Sequence, residues 1–174
     1  MSSAIPSIPG LADGTTLSSA KKLGLLDAFH VARLSSGLAL GIPSGCAAWR
    51  DERLIGRAHD RLPPGMRNSR DLQSSPMRAA VLSCEQALVC GLAKHGVSLR
   101  RSTLYVWPFI SGPAGAAAIA AAGVLEVVTP DLHVPARLQE DAHRAESVLA
   151  QCSVLVTKSE PPTEIFEICT RSSS

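Results

Sequence analysis

The chain has 174 residues, a length typical of a single domain. Hydrophobic residues make up 45% of the chain and charged residues 18%, which predicts a buried core and excludes wholesale disorder. The formal net charge of +2 is too small to indicate binding to nucleic acid or to an anionic membrane, and we expect neither partner.

The cysteines restrict the class of protein further. There are five, an odd number, and no two of them have the C-x-x-C spacing. This pattern disfavours a disulfide framework and the common structural zinc modules. It is typical of a reduced protein, so we expect a cytoplasmic location.

The N-terminal region predicts neither a leader nor a membrane anchor. Residues 1–17 are rich in Ser, Pro and Gly and predict a flexible tail, followed by a single domain over 18–174. The tail lacks the charged and apolar regions of a signal peptide. The apolar stretch 23–41 is long enough to span a membrane, but charged or titratable residues interrupt it: Asp27, His30 and Arg33.

In chain order, the first half predicts a helix, a hairpin and a second helix. Ser18 or Ser19 is available as the N-cap of the first helix, and Gly37 follows its end. Gly96 follows the end of the second helix. The predicted ranges are a helix over 18–36, hairpin strands over 45–49 and 54–59, and a helix over 76–95.

The second half alternates between strands and helices. The predicted ranges are strands over 102–107, 124–129 and 154–156, and helices over 114–122 and 136–150. Such alternation indicates parallel strand pairing, and the preceding hairpin adds an antiparallel edge. We therefore predict an α/β domain with three layers, α/β/α, around a mixed, largely parallel sheet.

Several short motifs, in this order, resemble those of the cytidine/deoxycytidylate deaminase-like family. Thr103-Leu104-Tyr105-Val106 resembles the family's "TLYV" strand, and Leu62-Pro63-Pro64-Gly65 its "FPRG" loop. The segment 83–88 lies where "HAE" opens the second helix, and 116–124 resembles the alanine-rich helix that ends in "AGI". The hairpin over 45–59 and the segment from Thr129 to Arg144 complete the resemblance, which implies a cytidine-deaminase-like fold over about 20–156.

This chain differs from that family at the residues that carry out the family's chemistry. The family binds zinc through H-x-E and P-C-x-x-C motifs, and the zinc activates a water molecule. Ser83 occupies the histidine position, and the segment 110–115 replaces the cysteine loop. No cysteine or histidine lies between Tyr105 and Leu132. We therefore expect no metal at the family's site, and no other cofactor is indicated.

A replacement metal site is one alternative. Cys84, His59 and His133 lie on elements that border the family's pocket, and together they supply metal-ligating atoms. The competing interpretation is that Cys84 and Cys90 are small hydrophobic residues buried on a helix.

The carboxylate of Glu85 is the one catalytic group of the family that this chain retains. The resemblance implies that Glu85 acts as a general acid/base, with Cys84 or Ser83 assisting it. A glutamate in the first turn of a helix is equally a normal stabilising choice, with Ser83 as the cap.

A second group of residues is predicted to contact a ligand. Asp60 lies where the family uses an asparagine to hold sugar or base, although it is alternatively a solvated turn residue. Trp107 and Phe109 supply rings for stacking, and packing in the core is an equal alternative for Trp107. Backbone N–H groups before a helix contact anions. The candidate ligand-binding residues are Asp60, His59, Trp107, Phe109, Ser111 and Gly112.

Three hypotheses for function follow. The first is a deaminase-fold protein that has lost its zinc site and acts by binding a nucleoside-like or other heterocyclic ligand or by assembly. The second is a metal-independent enzyme that uses the old pocket, with Glu85 as acid/base. The third is a purely structural partner, because family members are commonly oligomers, either with themselves or with a related subunit.

Overall fold

A computed structural model describes residues 14–35, 41–66, 80–165 and 168. The chain order of the elements is helix, hairpin, then alternating helices and strands. Their bounds are α1 Gly14–Ala32, β1 Gly45–Arg50, β2 Arg53–His59, α2 Cys84–Lys94, β3 Thr103–Trp107, α3 Pro113–Ala121, β4 Glu126–Pro130, α4 Ala136–Gln151 and β5 Leu155–Ser159.

The strands form one mixed sheet in the order β2-β1-β3-β4-β5. β1 is antiparallel to both of its neighbours, β2 and β3. β3, β4 and β5 are parallel to one another. The predicted α/β class and the mixed sheet are confirmed. Parallel pairing is confined to β3, β4 and β5, the strands that alternate with helices along the chain.

Helices cover both faces of the sheet, as a three-layer domain requires. On one face, Leu25 and Ala28 of α1 pack with Tyr105 of β3. On the other face, the cluster of buried residues draws on α2, α3 and α4 together with the sheet; it includes Leu88, Ile119, Leu149, Val106 and Val127. The strand residues divide between the two clusters because successive side chains of a strand point to opposite faces.

Small residues allow α1 and α3 to approach their neighbours closely. A Cβ atom added at Gly24 would lie 2.4 Å from the ring of Tyr105, so that ring packs directly on the backbone of α1. The alanine-rich helix α3 lies between α2 and α4, and contacts both. A helix of alanines has little side-chain bulk, which permits this close packing on two sides.

The predicted bounds of the first two helices are wrong. α1 begins at Gly14 instead of Ser18 and ends at Ala32, and the predicted stop signal Gly37 lies outside the described residues. α2 begins at Cys84, well after the predicted start at residue 76.

The late start of α2 has a local cause. Ser83 and Gln86 form a capping box, in which the Ser83 hydroxyl accepts from the Gln86 N–H and the Gln86 side chain accepts from the Ser83 N–H. Immediately before the cap, the backbone of Leu82 pairs with Arg61, at N–O distances of 2.9 and 3.1 Å. A residue paired in a strand-like bridge cannot also continue a helix, so the helix begins after it.

Within the described part of the chain, none of the helices combines the length and the apolar character needed to span a bilayer.

Candidate functional site

Glu85 lies in the first turn of α2 and faces the loop between β3 and α3. Its side chain is completely buried. Oε1 accepts a hydrogen bond of 2.8 Å from the backbone N–H of Ser111. Oε2 is also buried, and none of the described residues donates a hydrogen bond to it. Buried polar atoms are nearly always paired, so an unpaired carboxyl oxygen in this position marks a candidate functional site.

Ser83 and Gly115 share the space beside Glu85. A Cβ atom added at Gly115 would lie 3.1 Å from Oε2 of Glu85 and 3.4 Å from Oγ of Ser83. Sequence reasoning did not single out Gly115 as a site residue. The available signal was its spacing from Gly112, which is the spacing of the two cysteines in P-C-x-x-C.

The loop before α3 has a backbone conformation that requires glycine at one position. Gly112 is the N-cap of α3, with φ 128° and ψ −174°, a conformation that is essentially restricted to glycine. The neighbouring Ser111 N–H, which we predicted to contact a ligand anion, is used by Glu85. The Ser111 hydroxyl is buried and has no partner among the described residues.

Cys84 is packed in the core, and its thiol lies close enough to Glu85 for the carboxylate to act on it. It is completely buried in the cluster that includes Leu88 and Ile119. The Cys46 thiol lies 3.1 Å from the backbone oxygen of Cys84 and donates to it. Burial, with smaller contributions from Cys46 and Glu85, raises the pKa of the Cys84 thiol well above its ordinary value. A thiol is nucleophilic as the thiolate, so this environment opposes an assisting role for Cys84.

His59 is the last residue of β2 and Asp60 follows it, and the burial of Asp60 differs from one of the two sequence interpretations. Asp60 is 1% exposed, so the alternative of a solvated turn residue is wrong. Its carboxylate accepts a hydrogen bond from the hydroxyl of Ser35, just beyond α1. His59 Nδ1 lies 2.8 Å from the backbone oxygen of Asp60. The bond from Ser35 links the end of β2 to the residues that follow α1, whereas the His59 contact is local.

The two predicted stacking residues are both packed in the protein. Trp107 makes an edge-to-face contact with Phe29 of α1, with ring centroids 5.2 Å apart. It therefore lies on the α1 face of the sheet, whereas α2 and Glu85 lie on the other face. Phe109 is 8% exposed. The structure thus brings Ser83, Glu85 and Ser111 together, and places Trp107 apart from them.

The residues around Glu85 do not fit a zinc ion. Zinc sites in proteins use thiolate, imidazole or carboxylate ligands, and a glycine supplies no side-chain ligand atom. Over the described ranges, no group of three or more His, Cys, Asp or Glu residues is placed to hold a metal. The alternative site from Cys84, His59 and His133 is accordingly not formed, and His133 is exposed on the loop before α4.

Thiol reactivity tests the placement of the cysteines. Cys90 and Cys152 are exposed, whereas Cys46 and Cys84 are buried; the prediction of burial was therefore right for Cys84 and wrong for Cys90. We expect iodoacetamide at pH 8 to modify Cys90 and Cys152 in the native protein and to leave Cys46 and Cys84 unmodified, as read by peptide mass spectrometry. Urea provides the control, because all of these thiols should react once the chain unfolds. Native alkylation of Cys84 at the rate of Cys90 would contradict the structure.

Comparisons by sequence find no relatives: no protein-family profile and no curated protein matches the chain. Comparisons of structure find several matches. The dCMP deaminase of cyanophage S-TIM5, in apo form, has a TM-score of 0.62 and 20% identity over 80% of this chain and 97% of the phage chain. A Thermotoga maritima diaminohydroxyphosphoribosylaminopyrimidine deaminase/5-amino-6-(5-phosphoribosylamino)uracil reductase has a TM-score of 0.59 and 17% identity, over 88% of this chain and 40% of that one.

A third neighbour acts on transfer RNA. It is a tRNA:A34 deaminase, with a TM-score of 0.51 and 22% identity over 84% of this chain and 98% of its own. All of these neighbours are deaminases of one fold type, although their identity to this chain is low. The resemblance seen in the sequence motifs is therefore confirmed at the level of architecture: this chain has the cytidine deaminase-like fold.

Proposed function

We propose that this chain is a deaminase-fold protein that does not hold zinc, does not carry out hydrolytic deamination, and binds a nucleoside-like ligand through Glu85. The observation that supports the proposal is the buried Glu85 carboxylate, with Oε1 held by Ser111 and Oε2 unpartnered beside Gly115. A carboxylate oxygen accepts hydrogen bonds only, so the matching ligand group is an N–H or O–H donor.

Structural neighbours support the ligand class. One neighbour, the cyanophage S-TIM5 dCMP deaminase, has been solved in complex with dCMP and dUMP, at a TM-score of 0.62 to this chain. Nitrogen heterocycles of this kind carry the N–H donors that a buried carboxylate pairs with. Because Glu85 is enclosed, the ligand would enter by displacement of the loop that carries Ser111 and Gly112.

The local chemistry argues against zinc-dependent hydrolysis. Ser83 supplies only a hydroxyl that already caps α2, and Gly115 supplies no ligand atom. A bound zinc ion lowers the pKa of its water to about 7, which produces the nucleophile for hydrolysis. Without that ion, a water molecule beside Glu85 is a poor nucleophile at neutral pH.

Zinc content and ammonia release test this proposal together. We expect far less than one zinc ion per purified chain by elemental analysis, both as isolated and after dialysis against zinc chloride. We also expect no ammonia release from cytidine or dCMP. The control is a zinc-dependent cytidine deaminase carried through the same dialysis and assay. Stoichiometric zinc, or ammonia release that a chelator abolishes, would overturn the proposal.

A second candidate function rests on the same carboxylate. Oε2 of Glu85 and Oγ of Ser83 both border the space at Gly115, and Oε2 has no partner among the described residues, so it is available to exchange a proton with a bound substrate without a metal. Ammonia release that survives a chelator and is lost in Glu85→Gln would identify this metal-independent enzyme instead.

Assembly and location remain predictions. We retain the expectation that the chain pairs with itself or with a related subunit, and the expectation of a cytoplasmic protein. α3 supports the first, because its alanines Ala114, Ala117 and Ala121 are exposed and would allow close approach of a second chain.

A further inference from the structure

A cavity lies at the other end of the sheet from Glu85, where β3 begins. Its volume is about 400 Å³, and its walls come from α1, the end of β1 and the start of β3. Ser111 and Glu85 lie beyond the opposite end of β3, so this cavity is separate from the site described above. Its size is within the range of small-molecule sites.

The floor of the cavity is apolar and aromatic. Trp49 of β1 and Thr103 of β3 are register partners, and Tyr105 lies two residues further along β3. All three therefore project from the α1 face of the sheet. Leu23 of α1 also lines the cavity and is 57% exposed, so it adds apolar surface beside the two aromatic rings. A flat ring would cover this surface.

Two of the floor residues also offer hydrogen-bond donors. The Trp49 indole Nε1 is buried and finds no acceptor among the residues the structure describes. Burial, together with the nearby charge of Glu126, raises the pKa of Tyr105 to about 12, so its phenol stays protonated at neutral pH.

The rim of the cavity carries charges of both signs. Asp51 and Glu52 form the hairpin turn, and Arg101 precedes β3. These three residues have φ angles of 50°, 61° and 62°, in the left-handed region that residues other than glycine adopt less often. At Asp51 and Glu52, positive φ angles are what a favoured two-residue hairpin turn requires of its central residues.

The Arg101 guanidinium is the cation available to a ligand. No ion pair links it to any of the described acidic residues. The neighbouring Arg50 is committed to the protein, because its Nη1 donates to the backbone oxygens of Ser98 and Arg100 at 3.0 and 3.3 Å. The rim thus carries Asp51 and Glu52 together with Arg50 and Arg101, and among the described residues Arg101 is the cation without an ion pair.

We propose that this cavity binds a small zwitterionic aromatic molecule, about the size of an aromatic amino acid. Its ring packs on Trp49 and Leu23, its anionic group pairs with Arg101, and its cationic group pairs with the carboxylates of Asp51 and Glu52. A molecule with both charges fits better than a simple anion or cation, because a single charge would face one attractive and one repulsive side of the rim.

Three matched probes separate the contributions of ring, anion and cation: L-phenylalanine, phenylacetate and phenethylamine. Each is titrated into the full chain labelled with 5-fluorotryptophan. Because the chain has two tryptophans, the ¹⁹F spectrum has one resonance for Trp49 and one for Trp107 as an internal control. We expect L-phenylalanine to shift the Trp49 resonance saturably at the lowest concentration, and to leave Trp107 unchanged.

Charge-neutral variants assign the two ends of the ligand. Arg101→Gln should weaken L-phenylalanine and phenylacetate by about fivefold and leave phenethylamine unweakened, since exposed charge pairs contribute up to about 1 kcal/mol. Glu52→Gln should weaken L-phenylalanine and phenethylamine by a similar factor and leave phenylacetate unweakened. Lys94→Gln, which removes an exposed cation from α2, is the control and should change none of the affinities. Equal shifts of both tryptophans, no shift by any probe, or affinities unaffected by Arg101→Gln would overturn the proposal.

Discussion

Gly45→Ala is expected to destabilise the chain by about 3 kcal/mol, because the added methyl group meets backbone and not a movable side chain. A Cβ atom at Gly45 would lie 2.5 Å from the backbone N of Ala32 and 2.6 Å from the backbone oxygen of Ala28. To accommodate it, the end of α1 must move away from β1, which would loosen the packing of Leu25 and Ala28 on the sheet.

Thermal and urea unfolding measure this effect. For a chain of this size, 3 kcal/mol corresponds to a fall in Tm of roughly 6–12 °C. Gly91→Ala is the matched control: Gly91 lies within α2, and its added Cβ would only meet Arg61 Nη2, at an ordinary 3.5 Å. That variant should gain about 0.5–1 kcal/mol from the better helix propensity of alanine. An unchanged Tm for Gly45→Ala would mean that α1 does not pack on β1 as described.

Glu85→Gln is expected to stabilise the fold by about 1 kcal/mol while abolishing binding of a nucleoside-like ligand. Gln keeps the shape of the side chain and the oxygen that accepts from Ser111. It removes a buried charge that none of the described cations pairs with. Burying an uncharged amide costs less free energy than burying a carboxylate with one unpaired oxygen.

The two readouts distinguish a functional carboxylate from a structural one. We expect Tm to rise by about 2–4 °C, with loss of heat on calorimetric titration with cytidine or dCMP. Glu140→Gln on α4 is the control, because its exposed pairing with Arg144 contributes little and both readouts should stay near those of the unmodified chain. A fall in Tm for Glu85→Gln would indicate instead that Glu85 is kept for stability.

Local patterns predicted most elements of the fold, and failed where a tertiary contact decided the bounds. Strand β3 and helices α3 and α4 were predicted to within about a residue, because their hydrophobic pattern, glycines and prolines act locally. The start of α2 was misplaced because Leu82 pairs with Arg61, which is distant along the chain. Helix and strand propensities of neighbouring residues do not predict a pairing between residues so far apart along the chain.

The candidate site was predicted only in part. Motif order identified Ser83 and Glu85, and the Gly-Ala segment that lacks metal ligands. It did not identify Gly115, whose relevance depends on its distance to Glu85 Oε2. It also assigned Trp107 to the same pocket, although strand alternation places that side chain with Tyr105 on the α1 face.

What the sequence determined by itself is the order of strands and helices, and the absence of cysteine and histidine from 106–131. Both depend only on residue identity and local periodicity. What the tertiary structure decided is which polar groups meet. The hydrogen bond from Ser111 to Glu85 joins residues 26 positions apart, and the unpaired Oε2 of Glu85 is visible only once the surrounding side chains are placed. The same holds for the cavity at the start of β3, because α1, the hairpin turn and the start of β3 come together only through packing of the sheet.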